Sequence, residues 1–150
     1  LNYTSACPGC LCVRRKICVR GSVLMRSMLR GKIHRATVTG ADLEYEGSIS
    51  IDETLMDAAG IAEWEHVHVL DVTNGARLET YVIVAPAGSG EIRINGAAAH
   101  LVHPGDKVII VNYETVPTDQ IADHHPALVH VDEQNRIVKS PTASAVSAEV

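Results

Sequence analysis

The chain has no phenylalanine, one tryptophan and four tyrosines, so aromatic residues make up only 3% of its 150 positions. A core without ring stacking has to be assembled from Val, Ile, Leu and Ala, a mixture that favours strands. Positive charge is also scarce: 13 Lys and Arg stand against 18 Asp and Glu, for a formal net charge of −5 at pH 7. An acidic protein gains nothing from counterion release at phosphates, so no nucleic-acid partner is expected. Arg14, Arg15 and Lys16 interrupt the apolar stretch that a secretory signal would need, and no run suits a membrane span; no membrane partner is expected. Neither an HExxH pair, a P-loop nor a Gly-x-Ser-x-Gly elbow occurs, and Gly88-x-Gly90 lacks the further glycine and helix that cradle a phosphate. With 46% hydrophobic residues and a mean hydropathy of +0.07, the composition is still that of a globular protein of one-domain length.

Cysteine is absent after residue 18. Cys7, Cys10, Cys12 and Cys18 all fall in 1–24, together with Arg14, Arg15, Lys16 and Arg20 and no acidic residue. Cys7 and Cys10 have the spacing of one zinc knuckle, but Cys10-x-Cys12 is too tight for the usual second one. Met25 is the first methionine and stands where the composition changes. The expected organisation is a disordered extension over 1–24, one domain over 25–140, and a flexible tail of small and polar residues over 141–150.

From Met25 on, the pattern is that of a compact β protein. Residues 35–39 and 48–51 alternate polar and apolar side chains, as half-buried strands do. Residues 53–59 have helical spacing and end at Gly60, a C-cap signal. Residues 66–72 and 77–84 alternate on either side of Asn74-Gly75, the strongest short hairpin signal. Strands are expected at 91–94 and 107–113, a tight segment at 96–99, and an outer strand at 127–131. Many short strands with few helices predict a mainly β protein closed into a small barrel, because closure removes exposed edges. His66 and His68 would point to one face of their strand and bind a metal only if a third ligand converged, so no metal site is expected. His124 and His125, before Pro126, read as solvated loop residues.

The run Met28-Leu-Arg-Gly-Lys-Ile-His-Arg-Ala-Thr-Val-Thr39 is followed in order by Ala41-Asp-Leu43, Tyr45-Glu-Gly-Ser48, Asp57-Ala-Ala-Gly-Ile61, Val72-Thr-Asn-Gly75, Thr80-Tyr81 and Asn95-Gly-Ala-Ala-Ala-His100. Each piece is weak alone, but their order and spacing resemble the pyruvoyl-dependent aspartate 1-decarboxylase family from about residue 25 to about 117. That resemblance implies a double-psi β-barrel with short helices, a cytoplasmic homotetramer, and decarboxylation of L-aspartate to β-alanine for pantothenate synthesis. It also implies self-cleavage between Gly47 and Ser48 into chains 1–47 and 48–150. The Ser48 hydroxyl would attack the preceding carbonyl to give an ester. Its β-elimination leaves a dehydroalanine, which loses ammonia to water and becomes a pyruvoyl group. This ketone would take the substrate amine as a Schiff base and act as the electron sink.

By the same resemblance, Tyr81 is the proton donor and Thr80 polarises the Gly47 carbonyl and later lies near substrate. Lys32 and Arg77 hold substrate carboxylates, whose charge needs compensation in an acidic protein. Asn95, Gly96, Ala97 and Ala98 line the substrate. Gly47 is expected to supply backbone freedom at the cleaved bond. His34 and Tyr45 fall in the matched block without an assigned step. Thr80 and Tyr81, adjacent on one strand, face opposite sides, so they serve one site only through an irregular strand or a shared one between subunits. The competing reading is an uncleaved β-barrel that binds or assembles, using its Cys-rich head for metal.

Overall fold

The computed structural model describes residues 23–139. The expectations for the Cys-rich head up to residue 22 and for the tail from residue 140 lie outside the described residues.

Among the described residues the elements run β1 (Met25–Thr37), β2 (Gly40–Asp42), β3 (Ser48–Asp52), α1 (Glu53–Ala59), β4 (His66–Asp71), β5 (Arg77–Ala85), β6 (Ile92–Asn95), β7 (Lys107–Pro117), β8 (Ala127–Val131) and β9 (Ile137–Lys139). Short 3-10 helices occupy Gly96–His100 and Thr118–Asp123. The strands follow one another in the order β2-β6-β3-β5-β4-β7-β1-β8-β9. Antiparallel neighbours such as β4/β5 and β1/β7 are interleaved with parallel ones, β3/β5, β2/β6 and β1/β8. A parallel pair cannot be joined by a hairpin, so these pairs are linked by longer connections, within the mainly β fold that was expected.

The core is aliphatic. Ile33, Ile49, Ile51, Val67, Val69, Val82, Ile92, Ile94 and Ile110 are fully buried, whereas Trp64 is 66% exposed. β-Branched residues dominate because they fill a pleated surface with few rotamers to lose.

Helix α1 forms where expected. The Asp52 carboxylate accepts from Thr54 N at 2.8 Å, and Gly60 closes the helix in the left-handed region at φ 65. Asp52 also accepts from Gly88 N at 2.9 Å and Gly90 N at 2.6 Å, tying the helix start to the turn before β6. Burial pushes the Asp52 carboxyl up, but the backbone N–H groups of Gly90, Gly88 and Thr54 outweigh it and hold it below the ordinary carboxylate value. A carboxylate with a lowered folded-state value stabilises the fold above its unfolded value and loses that contribution as pH falls through the folded one. Asp52→Asn is expected to cost about 1–3 kcal/mol at pH 7. It should also flatten the acid limb of stability below the ordinary carboxylate range, as urea unfolding at several pH values would show.

Three expectations are corrected. The first strand begins at Met25 rather than at residue 35, because residues 25–33 pair with β7 from Met25↔Pro117 to Ile33↔Ile110, and residues 31–34 pair also with β8. Strand β3 is buried at all five positions rather than on one face, its serines included. His124 is not solvated: its side chain is 7% exposed, with Nε2 2.8 Å from the Leu29 carbonyl oxygen and Nδ1 3.3 Å from Glu114 Oε1.

Candidate active site

Ser48 opens β3 opposite Asn95, the last residue of β6. The Asn95 amide donates from Nδ2 to Ser48 Oγ at 2.9 Å and to Ser50 Oγ at 3.1 Å. All three side chains are buried, and Asn95 Oδ1 has no hydrogen-bond partner among the described residues. A buried amide with one end unpaired carries a desolvation cost that a bound polar group would relieve.

Gly96 follows at φ 66, and a Cβ there would lie 2.6 Å from both Cα and N of Gly47 and 3.0 Å from the Tyr45 carbonyl oxygen. The main chain around 47 therefore rests against the Gly96 backbone with no room for a methyl group. Gly47 itself does not have a left-handed φ, and a Cβ on it would meet nothing within 4 Å. The backbone freedom expected at Gly47 is thus demanded at Gly96 instead. Gly96→Ala is expected to cost at least about 2 kcal/mol, from the left-handed conformation plus the displaced 45–47 segment. Chemical denaturation against the unsubstituted chain measures it.

Strand β5 approaches from the other side. Ile49 pairs with Val82 in parallel, so the register brings residues 47 and 48 to the level of Thr80 and Tyr81. Thr80 is half-buried and Tyr81 exposed, as strand alternation requires. The Tyr81 hydroxyl donates to the Glu46 carbonyl oxygen at 3.3 Å, and its ring stacks on Trp64 with centroids 5.7 Å apart. Ala97 and Ala98 continue from Gly96 in the first turn of the 3-10 helix.

Gly47, Ser48, Tyr81, Asn95 and Gly96 are thus brought together, and Thr80 reaches their level by register. Lys32 and Arg77 are not joined to them. Lys32 sits on β1 between Val111 and Leu128, with β5, β4 and β7 intervening in the sheet order. Arg77 opens β5, four residues before Tyr81, roughly 13 Å along an extended strand. Neither forms an ion pair with another described residue. His34 lies on β1 with its ring 5.0 Å from that of His130. Burial first, then the charges of Lys32, His130 and Arg35, hold its imidazole below the usual value. Ser50 and Trp64 were not singled out from the sequence. Ser50 is legible only as the i+2 neighbour of Ser48, and nothing local marks Trp64 as a stacking partner.

The family profile described as aspartate decarboxylase matches residues 24–138. The chain belongs to the aspartate decarboxylase family. It is 57% identical over 115 residues to the aspartate 1-decarboxylase of Corynebacterium efficiens, covering 77% of this chain and 85% of that one. It is 56% identical over 112 residues to the aspartate 1-decarboxylase of Dehalococcoides mccartyi, covering 75% of this chain and 90% of that one. Among solved structures, the rationally designed protein mkDPBB_sym_86 overlays 51% of this chain and 90% of its own, with a TM-score of 0.40 at 19% identity. The family resemblance read from the ordered motifs therefore holds over the whole matched block, with Gly47, Ser48, Tyr81 and Asn95 inside it.

Proposed function

We propose that this aspartate decarboxylase family member cuts itself between Gly47 and Ser48, carries a pyruvoyl group made from Ser48, and converts L-aspartate to β-alanine and carbon dioxide for pantothenate synthesis. The observation that carries the reading is the buried Ser48 hydroxyl, held by Asn95 next to a glycine backbone with the Tyr81 phenol close by.

The residues fit such a group. One at position 48 would lie beside the Asn95 Nδ2 donor that holds Ser48 Oγ, and its carbonyl oxygens can accept from that N–H. The pyruvoyl ketone supplies an electrophilic carbonyl that draws in the electron pair released as the carboxylate departs. Before cleavage, the Asn95 N–H stabilises charge on Ser48 Oγ, fixing the hydroxyl near the carbonyl it attacks. Thr80, at the level of Gly47, polarises that carbonyl. The Tyr81 hydroxyl delivers the proton that replaces the lost carboxylate, and its stacking on Trp64 fixes the ring that carries it.

The substrate carboxylates need cations, and the separation of Lys32 and Arg77 from Ser48 within one protomer supports a site completed by a neighbouring copy. Exposed Leu43, Tyr45, Trp64 and Tyr81 supply apolar surface for that contact. The assembly is a homotetramer in this reading, and its decarboxylase activity is cytoplasmic. Incubating the purified protein with L-aspartate tests the reaction. β-Alanine and carbon dioxide in equal amounts are the expected products, and an unchanged aspartate pool in a cleaved protein would contradict the assignment. Light scattering on the same sample should give the mass of four protomers; a monomer that turns over aspartate would contradict the shared site.

A further inference from the structure

Two imidazoles and a carboxylate converge on the outer face of the β4–β5 hairpin. His66 and His68, two residues apart on β4, point to the same side, and Glu79 of β5 stands directly across from His68. His66 Nε2 lies 3.2 Å from Glu79 Oε2 and His68 Nδ1 lies 3.7 Å from Glu79 Oε1. One ligand atom from each of the three falls within 4.8 Å of the others. The imidazole rings meet edge-on at 5.2 Å between centroids, and the Tyr113 ring meets that of His68 edge-on at 5.3 Å.

A hydrogen bond between His66 and Glu79 accounts for the shorter contact. The longer one exceeds hydrogen-bonding distance and is an ion pair only when His68 carries a proton. A shared cation accounts for both: ligands about 2.0–2.1 Å from a tetrahedral zinc ion lie roughly 3.3 Å apart, close to the two histidine–glutamate contacts of 3.2 and 3.7 Å. The donor set, two nitrogens and one carboxylate oxygen, suits a borderline transition metal and not the oxygen-only preference of calcium or magnesium. Arg77 lines the same hollow but pairs with no described carboxylate, so Glu79 remains open to the imidazole side.

We infer that His66, His68 and Glu79 form a binding site for a divalent transition-metal ion of the zinc class, with its remaining position open to solvent. The site clamps β4 to β5 beside Tyr81, which pairs across from His66, and its test reads metal binding directly, so its failure is distinguishable from failure of the decarboxylase reading.

The test is calorimetric titration of zinc chloride into the full-length protein after its four cysteines have been blocked with iodoacetamide, which removes competing thiolates. One ion per chain is expected. His66→Ala and Glu79→Gln should each weaken binding at least about tenfold, because each removes one of three protein ligands. His103→Ala, a distant exposed histidine, should leave binding unchanged. Zinc should also raise the melting temperature of the unsubstituted protein and not that of His66→Ala. Absence of saturable binding, or binding that survives both ligand substitutions, would overturn the site. All these side chains are largely exposed, so circular dichroism should show the variants folded.

Discussion

Ser48→Ala is expected to leave the chain as a single piece of 150 residues and to reduce aspartate turnover by about 10³-fold or more, as loss of a nucleophile on which every later step depends does elsewhere. The physical reason is local. Only the hydroxyl of residue 48 is positioned by Asn95, at 2.9 Å, beside the carbonyl of Gly47. Ser50 receives the same donor at 3.1 Å, but Ile49, a core residue, precedes it, so no glycine backbone stands in front of its hydroxyl. Ser50→Ala should therefore still cleave. Gel electrophoresis of the two variants side by side separates the roles, and cleavage in Ser48→Ala would remove the basis for the mechanism.

The second large effect is expected at Tyr81→Phe. This substitution keeps the ring that stacks on Trp64 and removes only the hydroxyl that reaches the Glu46 carbonyl. The loss of a positioned general acid should lower kcat by roughly 10²–10⁴. Stability should change by no more than about 0.5 kcal/mol, as expected at a partly exposed position. Cleavage between 47 and 48 should proceed, since the proposed Ser48–Asn95 and Thr80 functions are untouched. A variant that cleaves and turns over aspartate at the original rate would show that the proton comes from another group.

Much of the fold was legible because local signals agree with the tertiary structure. Residues 53–59 read as a helix from their spacing and Gly60, and the structure adds Asp52 as the cap. Asn74-Gly75 read as a hairpin, and β4 and β5 pair across it from Leu70↔Arg77 to His66↔Tyr81. Elsewhere tertiary contacts overrode local pattern. Residues 25–32 show no alternation, yet form strand because β7 pairs along them and β8 joins on the other side from Gly31. The alternation at 48–51 was real, but its polar members turn inward to the Asn95 amide and not out to water. A polar residue satisfied inside the protein looks, in sequence, like one satisfied by solvent.

The same limit governed the site. Ser48, Tyr81 and Asn95 were found through the ordered motifs they share with a family, whereas the role of Gly96 as the point of close approach required coordinates. Glu79 shows the limit again: it reads as one charged residue on a solvated face. Its relation to His66 and His68 depends on a hairpin register that no local pattern states.

The most direct measurement of the central claim is the intact mass of the purified protein. The account predicts two chains divided between residues 47 and 48, with the larger one lighter by one ammonia than the same fragment beginning with serine. That difference is what replacing the amino-terminal serine by a pyruvoyl group requires. A larger fragment that retains serine, or a single chain that stays uncut, would contradict it.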